Sequence, residues 1–349
     1  MKIDLMPFLL ISFILLLSCE ERGASDDNTL IISDSDFGDY IKLAGEEILF
    51  DDIVYKPFKM TLKDSILIVY NVSTEYAYQK FNIKTNKYLG ESILIGNGPG
   101  EMLYPNFIQS SDTNLWLYDQ QKSIVSKYDI GSFIKEKHPT PLATITLKDR
   151  SEQLSVIGDK IFSFKLNNNL DNNRFNIFDL NGTLQSSTGS FPYIDKNKTF
   201  EEVIFGFTSD YSTNFKDRIF LSYRLIDLIE IYDVDGLLIR RIQGADCIKP
   251  SVEAVRNESV SVAGGTEETR ETYFYPANAG EEVFVTYSGE LYADNVFHKR
   301  YIYVFDWDGN PLRRYLLDIP IYGTVVDPTN RIIYGFSDEP ECHIVKFNY

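Results

Sequence analysis

Tyr301-Ile302-Tyr303-Val304-Phe305-Asp306-Trp307-Asp308-Gly309-Asn310-Pro311-Leu312-Arg313-Arg314-Tyr315-Leu316-Leu317 is the stretch whose reading decides the fold. Tyr301, Tyr303 and Phe305 alternate with Ile302 and Val304, all residue types that fit a pleated strand. Asp306-Trp307-Asp308-Gly309 then reverses the chain, with Gly309 free to take a positive φ, and residues 312–317 return as a second strand. The unit is one hairpin.

Copies of its corner, an aromatic followed by Asp or Asn, recur along the chain. They are Phe81-Asn82, Tyr128-Asp129, Phe178-Asp179, Tyr232-Asp233, Phe305-Asp306 and Phe347-Asn348, spaced by 47, 50, 54, 73 and 42 residues. Such periods belong to propeller blades, small four-stranded sheets that cannot bury both faces alone. A further strand precedes each corner, at 65–70, 114–119, 160–165, 218–223, 283–287 and 331–336. Six copies predict six blades. A β-sandwich also places strands every 8–12 residues, but it has no need of a repeated corner.

Hydrophobic content of 44%, including 24 Phe and 23 Tyr, supplies closely packed sheets. No stretch after residue 50 carries the period of a long amphipathic helix. With 34 basic residues against 51 acidic, the net charge is −17 and no basic cluster occurs, which disfavours nucleic acid as a partner.

The amino terminus reads separately. Residues 5–17 form an apolar run too short to span a bilayer, which takes about 20 residues. The run closes on Leu16-Leu17-Ser18-Cys19, which resembles the lipobox of bacterial lipoproteins, where the Cys is acylated and becomes the mature amino terminus. Residues 1–18 are therefore expected to be a signal peptide and 19–39 a lipidated tether, with 40–349 as the propeller. The expected location is the cell envelope, anchored by Cys19 to the outer membrane and facing either the periplasm or the surface. Glu20, Glu21, Asp26 and Asp27 resemble the surface-export tethers of some Gram-negative lipoproteins, and they suit a plain solvated linker equally well. Cys247 and Cys342 remain, with a disulfide between them left open.

The chain stops just after the third-strand corner of the last blade, which so lacks its outer strand. Residues 41–49 are strand-like and are expected to complete that blade, closing the ring and covering its edge. The spacing of 73 residues holds extra length at 244–280, polar and charged, a candidate lid or partner-contacting segment.

Gly98-Pro99-Gly100-Glu101, then Pro105, then Leu115-Trp116-Leu117-Tyr118-Asp119 resemble the NHL-type repeat and its relatives. Tyr287-Ser288-Gly289, residues 304–311 and the ending Ile344-Val345-Lys346-Phe347 resemble the TolB-like six-bladed propeller lipoproteins of Gram-negative bacteria. The resemblance covers nearly all of residues 40–349. It implies a secreted, lipid-anchored all-β six-bladed β-propeller with no assigned reaction, so no catalytic residue is carried over.

Chemical motifs are sparse. The glycine-dense run 95–101 lacks the following helix and Lys-Ser or Lys-Thr of a phosphate loop. Asp233-x-Asp-Gly and Asp306-x-Asp-Gly match half a calcium loop but lack its remaining ligands, and read as hairpin turns. His138, His298 and His343 have no zinc spacing, and no Gly-x-Ser-x-Gly elbow occurs. Glu201-Glu202 and Glu281-Glu282 are sequential; in strands their side chains would face opposite ways.

The reading is a non-catalytic binding module for a carbohydrate, peptide or protein partner, with no cofactor and no metal. Two alternatives stand beside it: a metal-dependent lyase or hydrolase in the propeller channel, and a scaffold in an outer-membrane complex. Candidate ligand contacts are Glu101, Tyr104, Tyr223, Arg224 and Tyr287.

Overall fold

The computed structural model describes residues 28–349, except 111–112, 166–172, 193–196, 209–210, 257–260, 293–298 and 339. Cys19, His298 and most of the Asn-rich stretch 167–173 lie outside the described residues. The strands build six blades in chain order. Blade one is Pro57–Lys63, Ile66–Asn71, Tyr76–Asn82 and Lys87–Leu94; blade two is Pro105–Ser110, Asn114–Asp119, Ile124–Asp129 and Ala143–Thr146. Blade three is Ser151–Ile157, Lys160–Lys165, Phe175–Asp179 and Leu184–Thr188, and blade four is Tyr211–Phe215, Arg218–Ser222, Leu228–Asp233 and Leu238–Gly244. Blade five is Tyr273–Asn278, Glu282–Tyr287, Lys299–Asp306 and the first half of a 17-residue strand, Pro311–Asp327. The second half of that strand opens blade six, followed by Ile332–Ser337 and His343–Asn348.

All six aromatic-Asp/Asn corners end the third strand of a blade. The repetition has a hydrogen-bonding cause, since a tight turn leaves amides that a side-chain oxygen can satisfy. Asp306 Oδ1 accepts from the amides of Asp308 (3.0 Å) and Asn310 (2.8 Å). Asp233 and Asp179 do the same for residues two and four further on, and Asn82 for Lys84 and Thr85. In blade two Asp129 instead caps a short helix, α1 (Ile130–Lys135), accepting from Ser132 N at 2.8 Å. The half-matched calcium loops are therefore turns whose carboxylates are spent on backbone.

Gly309 answers a second demand. Its φ is +80°, and a Cβ there would lie 2.5 Å from Ile242 Cδ1 on the outer strand of blade four. Gly182 and Gly236 stand likewise, each at positive φ against the outer strand of the blade before. The turn glycine lets one blade nest on its predecessor.

The core lies in the seams between blades. Phe220, Ile229 and Ile231 of blade four meet Val283, Phe305 and Trp307 of blade five, and comparable clusters fill the other seams. Closure is visible where Tyr322, Tyr334 and Phe336 of blade six pack with Met60, Leu67, Val69 and Phe81 of blade one.

The amino-terminal segment closes the ring as expected, and does more. Gly45–Ile48 pairs antiparallel with His343–Asn348 and supplies the missing outer strand of blade six. Gly45 permits the approach, for a Cβ would fall 2.8 Å from both Phe347 and Val345. Tyr40–Leu43, all but its first residue within the same sequence assignment, goes instead to blade five, parallel to Arg314–Leu317. Thr29–Ile32, assigned from sequence to the tether, is a fifth strand on blade four, parallel to residues 241–244. Between them Phe37 is buried with its ring 4.6 Å from that of Tyr303 and 5.2 Å from that of Phe305. Asp34 accepts from Tyr303 Oη (2.8 Å) and pairs with Arg314 (2.6 Å). The segment is a strap over three successive blades, held by apolar burial that a polar average over residues 19–39 conceals.

Two further departures concern insertions. Glu201 and Glu202 are not in a strand but in the first turn of a helix, α2 (Phe200–Thr208). Thr199 N donates to Glu202 Oε2 (2.8 Å) and Glu202 N to Thr199 Oγ1 (3.3 Å), a reciprocal cap that holds the Glu202 carboxyl down at about 2, with Lys198 assisting. The extra length after blade four forms a hairpin, Val252–Arg256 with Ser261–Gly265, that packs on α2. Cys247 and Cys342 are both thiols.

Candidate functional site

The first strands of all six blades face one cavity of about 410 Å³ on the axis of the ring. Its wall takes Lys59, Thr61 and Met60 from blade one, Asn106 from blade two, and Gln153 and Ser155 from blade three. Blade four adds Ser212, Thr213 and Asn214, blade five Tyr275 and Asn278, and blade six Thr324 and Val326. Ten of its 22 residues carry an amide or hydroxyl, set beside apolar ones such as Leu62, Leu154, Phe215 and Val325. Inner strands cannot bury these faces against a neighbour, because the ring leaves an axial gap, so polar residues are tolerated there.

Part of this polarity is consumed internally. Asn214 Nδ2 donates to Ser155 Oγ (2.7 Å) and to the Val156 carbonyl, and Asn278 Nδ2 donates to the Asn214 carbonyl (2.8 Å). These bonds cross from blade three to four to five and hold the wall rigid. Two atoms differ. Thr324 Oγ1, on a residue 8% exposed, and Asn106 Oδ1 are buried and make no hydrogen bond among the described residues. Such groups cost about 1–3 kcal/mol each when left unmet, so they mark places where a ligand or solvent polar group belongs.

Lys59 is the one charged side chain among the described residues of the wall. Enclosure by the surrounding blades disfavours its charged form and pushes the ammonium down to about 8. Lys80, also brought down to about 8 by burial, is a useful contrast. Its Nζ donates to Ser92 Oγ (2.7 Å) and to the carbonyls of Phe133 (3.2 Å) and Glu136 (2.8 Å), so it is a strut between blade one and α1. Lys59 lines the axial cavity.

The sequence-selected residues do not gather at this cavity. Glu101 curls under its own loop, Oε2 accepting from Gly98 N at 2.7 Å. Tyr104 is exposed beside blade two, its amide and that of Leu103 held by the buried Asp119 carboxylate. Tyr223 is fully buried, donating to Glu230 Oε2 (2.6 Å); burial, then the Glu230 charge, drive its phenol far up. Tyr232 and Arg241 complete that cluster on Glu230. Arg224 forks onto the buried Glu271 (2.9 and 2.5 Å), whose other oxygen meets Lys299. Tyr287 packs tilted against Tyr273 and edge-on to Tyr303, each ring 5.1 Å away. Tyr223, Arg224 and Tyr287 are thus seam and network residues around blades four and five.

The wall residues carry a signal that sequence reasoning passed over. Lys59, Asn106, Gln153, Asn214, Asn278 and Thr324 follow one another at 47, 47, 61, 64 and 46 residues, nearly the corner period itself. A polar residue recurring ahead of each second strand is the mark of an axial wall.

Of the histidines, His343 bonds the Glu341 carbonyl at 2.7 Å and His138 lies by Tyr76, both away from the axis. Glu281 reaches Lys216 while Glu282 reaches Arg313, so that pair diverges. Among the described residues, no three His, Cys, Asp or Glu side chains stand close enough to hold a metal ion, and no helix is long and apolar enough to cross a membrane.

Comparison with known proteins decides the relationship. The family model for TolB-like 6-blade propeller-like proteins matches residues 36–329. The chain belongs to that family. Among solved structures, this TolB-like propeller is similar to a DUF4221 family member from Bacteroides vulgatus, with a TM-score of 0.58 at 12% identity, covering 88% of this chain and 96% of that one. It is also similar to a protein from Bacteroides fragilis described as exported, with a TM-score of 0.56 at 11% identity, covering 91% and 98%. Among curated proteins nothing matches this TolB-like chain. At such identities the likeness concerns the fold.

Proposed function

We propose that this TolB-like propeller is a non-catalytic binding module of the cell envelope, held at a membrane by acylated Cys19, with its ligand site in the axial channel. The observation that carries the reading is the convergence of amide and hydroxyl side chains from six blades on one cavity, two of their polar atoms buried and without a hydrogen bond among the described residues. A volume of about 410 Å³ suits a mono- or disaccharide or a short peptide segment. The description of a structural neighbour as exported agrees with the lipobox reading of Leu16–Cys19.

Thermal-shift screening of soluble saccharides and short peptides tests the site, followed by titration calorimetry on any that stabilise. Thr213→Trp, which fills the channel from blade four, is expected to abolish binding while the melting temperature without ligand stays within a few degrees. Undiminished binding by that variant moves the site off the axis. Labelling with radioactive palmitate tests the anchor; Cys19→Ala is expected to lose the label and leave the membrane fraction.

A further inference from the structure

The inner strands that wall the channel are not regular. In blades one, two, three, five and six the ladder between the first and second strands slips register, at Pro57/Lys59, Phe107/Gln109, Ser151/Leu154, Phe274/Ala277 and Tyr322/Val325. In blade four the pairing is continuous. A bulge takes residues out of the ladder and re-aims their side chains, and bulges recur beside functional sites. In blades five and six the bulged residues are Tyr275-Pro276 and Gly323-Thr324, and all four line the cavity.

These two bulges correspond position for position, and the first residue of each has a positive φ, +59° at Gly323 and +47° at Tyr275. Glycine takes that conformation freely, whereas for an aromatic residue it costs about 1–2 kcal/mol. Among the described residues the other side-chain-bearing positions with positive φ lie in turns or loops, apart from Ile93 on an outer strand. Backbone strain of this kind persists where the surroundings hold it, and it gathers at ligand sites. Here it places an aromatic ring at the channel wall, packed against the apolar cluster between blades six and one. Phe215, the other aromatic of the described wall, is already stacked on Trp307, ring centres 5.7 Å apart. On the neighbouring blade stands Thr324, whose Oγ1 is buried without a hydrogen bond among the described residues.

We propose that the channel takes a neutral pyranose sugar, seated with the C–H face of its ring on Tyr275 and with its hydroxyls on Thr324 and Asn106. This rests on the axial-site reading above and names the ligand class of that site. Ring C–H groups carry partial positive charge and suit the negative face of an aromatic ring. Hydroxyls both donate and accept, so one kind of group serves the acceptor Asn106 Oδ1 and the two-way Thr324 Oγ1. A charged ligand is disfavoured, because no carboxylate stands in the described wall and its ammonium, Lys59, is engaged within the protein, 5.8 Å from the ring centre of Phe58. A peptide backbone supplies donors and acceptors but no flat C–H face for Tyr275.

Titration calorimetry of the purified full-length protein tests the proposal. The probes are the methyl pyranosides of glucose, galactose and mannose, sorbitol (hydroxyls without the ring) and N-acetyl-alanyl-alanine amide, each to about 10 mM, enough to register a millimolar Kd. The proteins are wild type, Tyr275→Phe, Tyr275→Gly, Thr324→Val and the channel-filling Thr213→Trp, with melting curves without ligand as the folding control. At least one pyranoside is expected to bind about tenfold or more tightly than sorbitol. Tyr275→Phe keeps the face and should hold that affinity within about threefold, whereas Tyr275→Gly relaxes the backbone, removes the face and should lose about tenfold. Thr324→Val should weaken the same sugar by roughly three- to tenfold. If Tyr275→Gly does not melt cooperatively, Tyr275→Asn, which also tolerates positive φ, takes its place. Pyranoside binding unmoved by Tyr275→Gly but lost in Thr213→Trp overturns the seat on Tyr275 and leaves the axial site standing. A loss in Tyr275→Phe as deep as in Tyr275→Gly assigns the effect to the phenol oxygen and overturns the stacked ring, as does sorbitol binding that equals the pyranosides. Binding of the dipeptide amide alone overturns the sugar in favour of a peptide in the same channel. Binding unmoved in every variant, or absent for every probe, overturns the axial site together with the inference.

Discussion

Blades one to three and blades four to six are built from the same repeat but finished differently. The first three end in their own fourth strands, whose edges carry exposed residues such as Leu89 and Leu184. In blades two and three that strand is short, four residues at Ala143–Thr146 and five at Leu184–Thr188, while Lys87–Leu94 of blade one runs to eight. Blades four and five each receive an added parallel strand, and blade six borrows its fourth, all from residues 29–48. One half of the ring is strapped and the other free-standing. The comparison teaches that identical local sequence signals can yield unequal local stability, because the added strands come from a distant part of the chain.

Removing the strap should break the comparison outright. Deletion of residues 29–50 takes an edge from three blades and uncovers the seam around Phe305; the expected outcome is loss of a cooperative thermal transition in calorimetry. Phe37→Ala keeps the strap but empties its anchor, and should cost about 3–5 kcal/mol in urea titration. The matched change on the free half, Leu184→Ala, should stay within about 0.5 kcal/mol.

Asp227 sharpens the same contrast through pH. It lies buried at the strapped blade four, where Gln243 donates to it, while burial and the nearby Asp246 lift its carboxyl to about 7. Because its folded value lies above the unfolded one, the folded state holds the extra proton between about 4 and 7. That stability is complete below the unfolded value and is lost as pH rises through 7. Asp227→Asn should therefore flatten the fall in stability from pH 4 to 8, gaining up to roughly 4 kcal/mol at the upper end. Denaturant midpoints across that range measure it.

Gly182 and Gly309 perform one task in the two halves, nesting a turn on the previous blade. Either change to Ala should cost about 1–3 kcal/mol from positive φ and the close neighbour together. Hydrogen exchange should then show the opening confined near blades two and three for Gly182→Ala, and damped by the strap for Gly309→Ala. An equal spread in both would remove the distinction between the halves.

The ring was legible in the sequence because its punctuation is chemical. An Asp or Asn that satisfies turn amides, followed in three blades by a glycine that nests on a neighbour, is needed wherever the hairpin recurs, so the corners counted the blades. The closing strand was legible too, since residues 45–48 are apolar at the ends and the last blade lacked a partner. Thr29–Ile32 was not: its pairing is parallel, leaves no adjacent turn, and sits amid polar residues. Tyr223 and Arg224 were selected for what their side chains can offer, whereas Glu230 and Glu271 take that capacity up. Arg224 and Glu271 are 47 residues apart, and no local pattern joins them. The channel wall escaped because each blade contributes only one or a few ordinary polar residues, meaningful only once placed in register.

The 17-residue strand Pro311–Asp327 serves as the rim of blade five and the hub of blade six without an intervening loop. The described residues at the joints after blades one, two and three lie outside any sheet, and after blade four the chain forms the separate hairpin of Val252–Arg256 with Ser261–Gly265, so a nick or a transplanted terminus between blade strands there interrupts no blade ladder. At residues 318–320 the same cut would sever two sheets at once. Circular permutants opened at 147–150 should therefore assemble, whereas those opened at 318–320 should not, making this pair of blades the indivisible unit from which the wheel is put together.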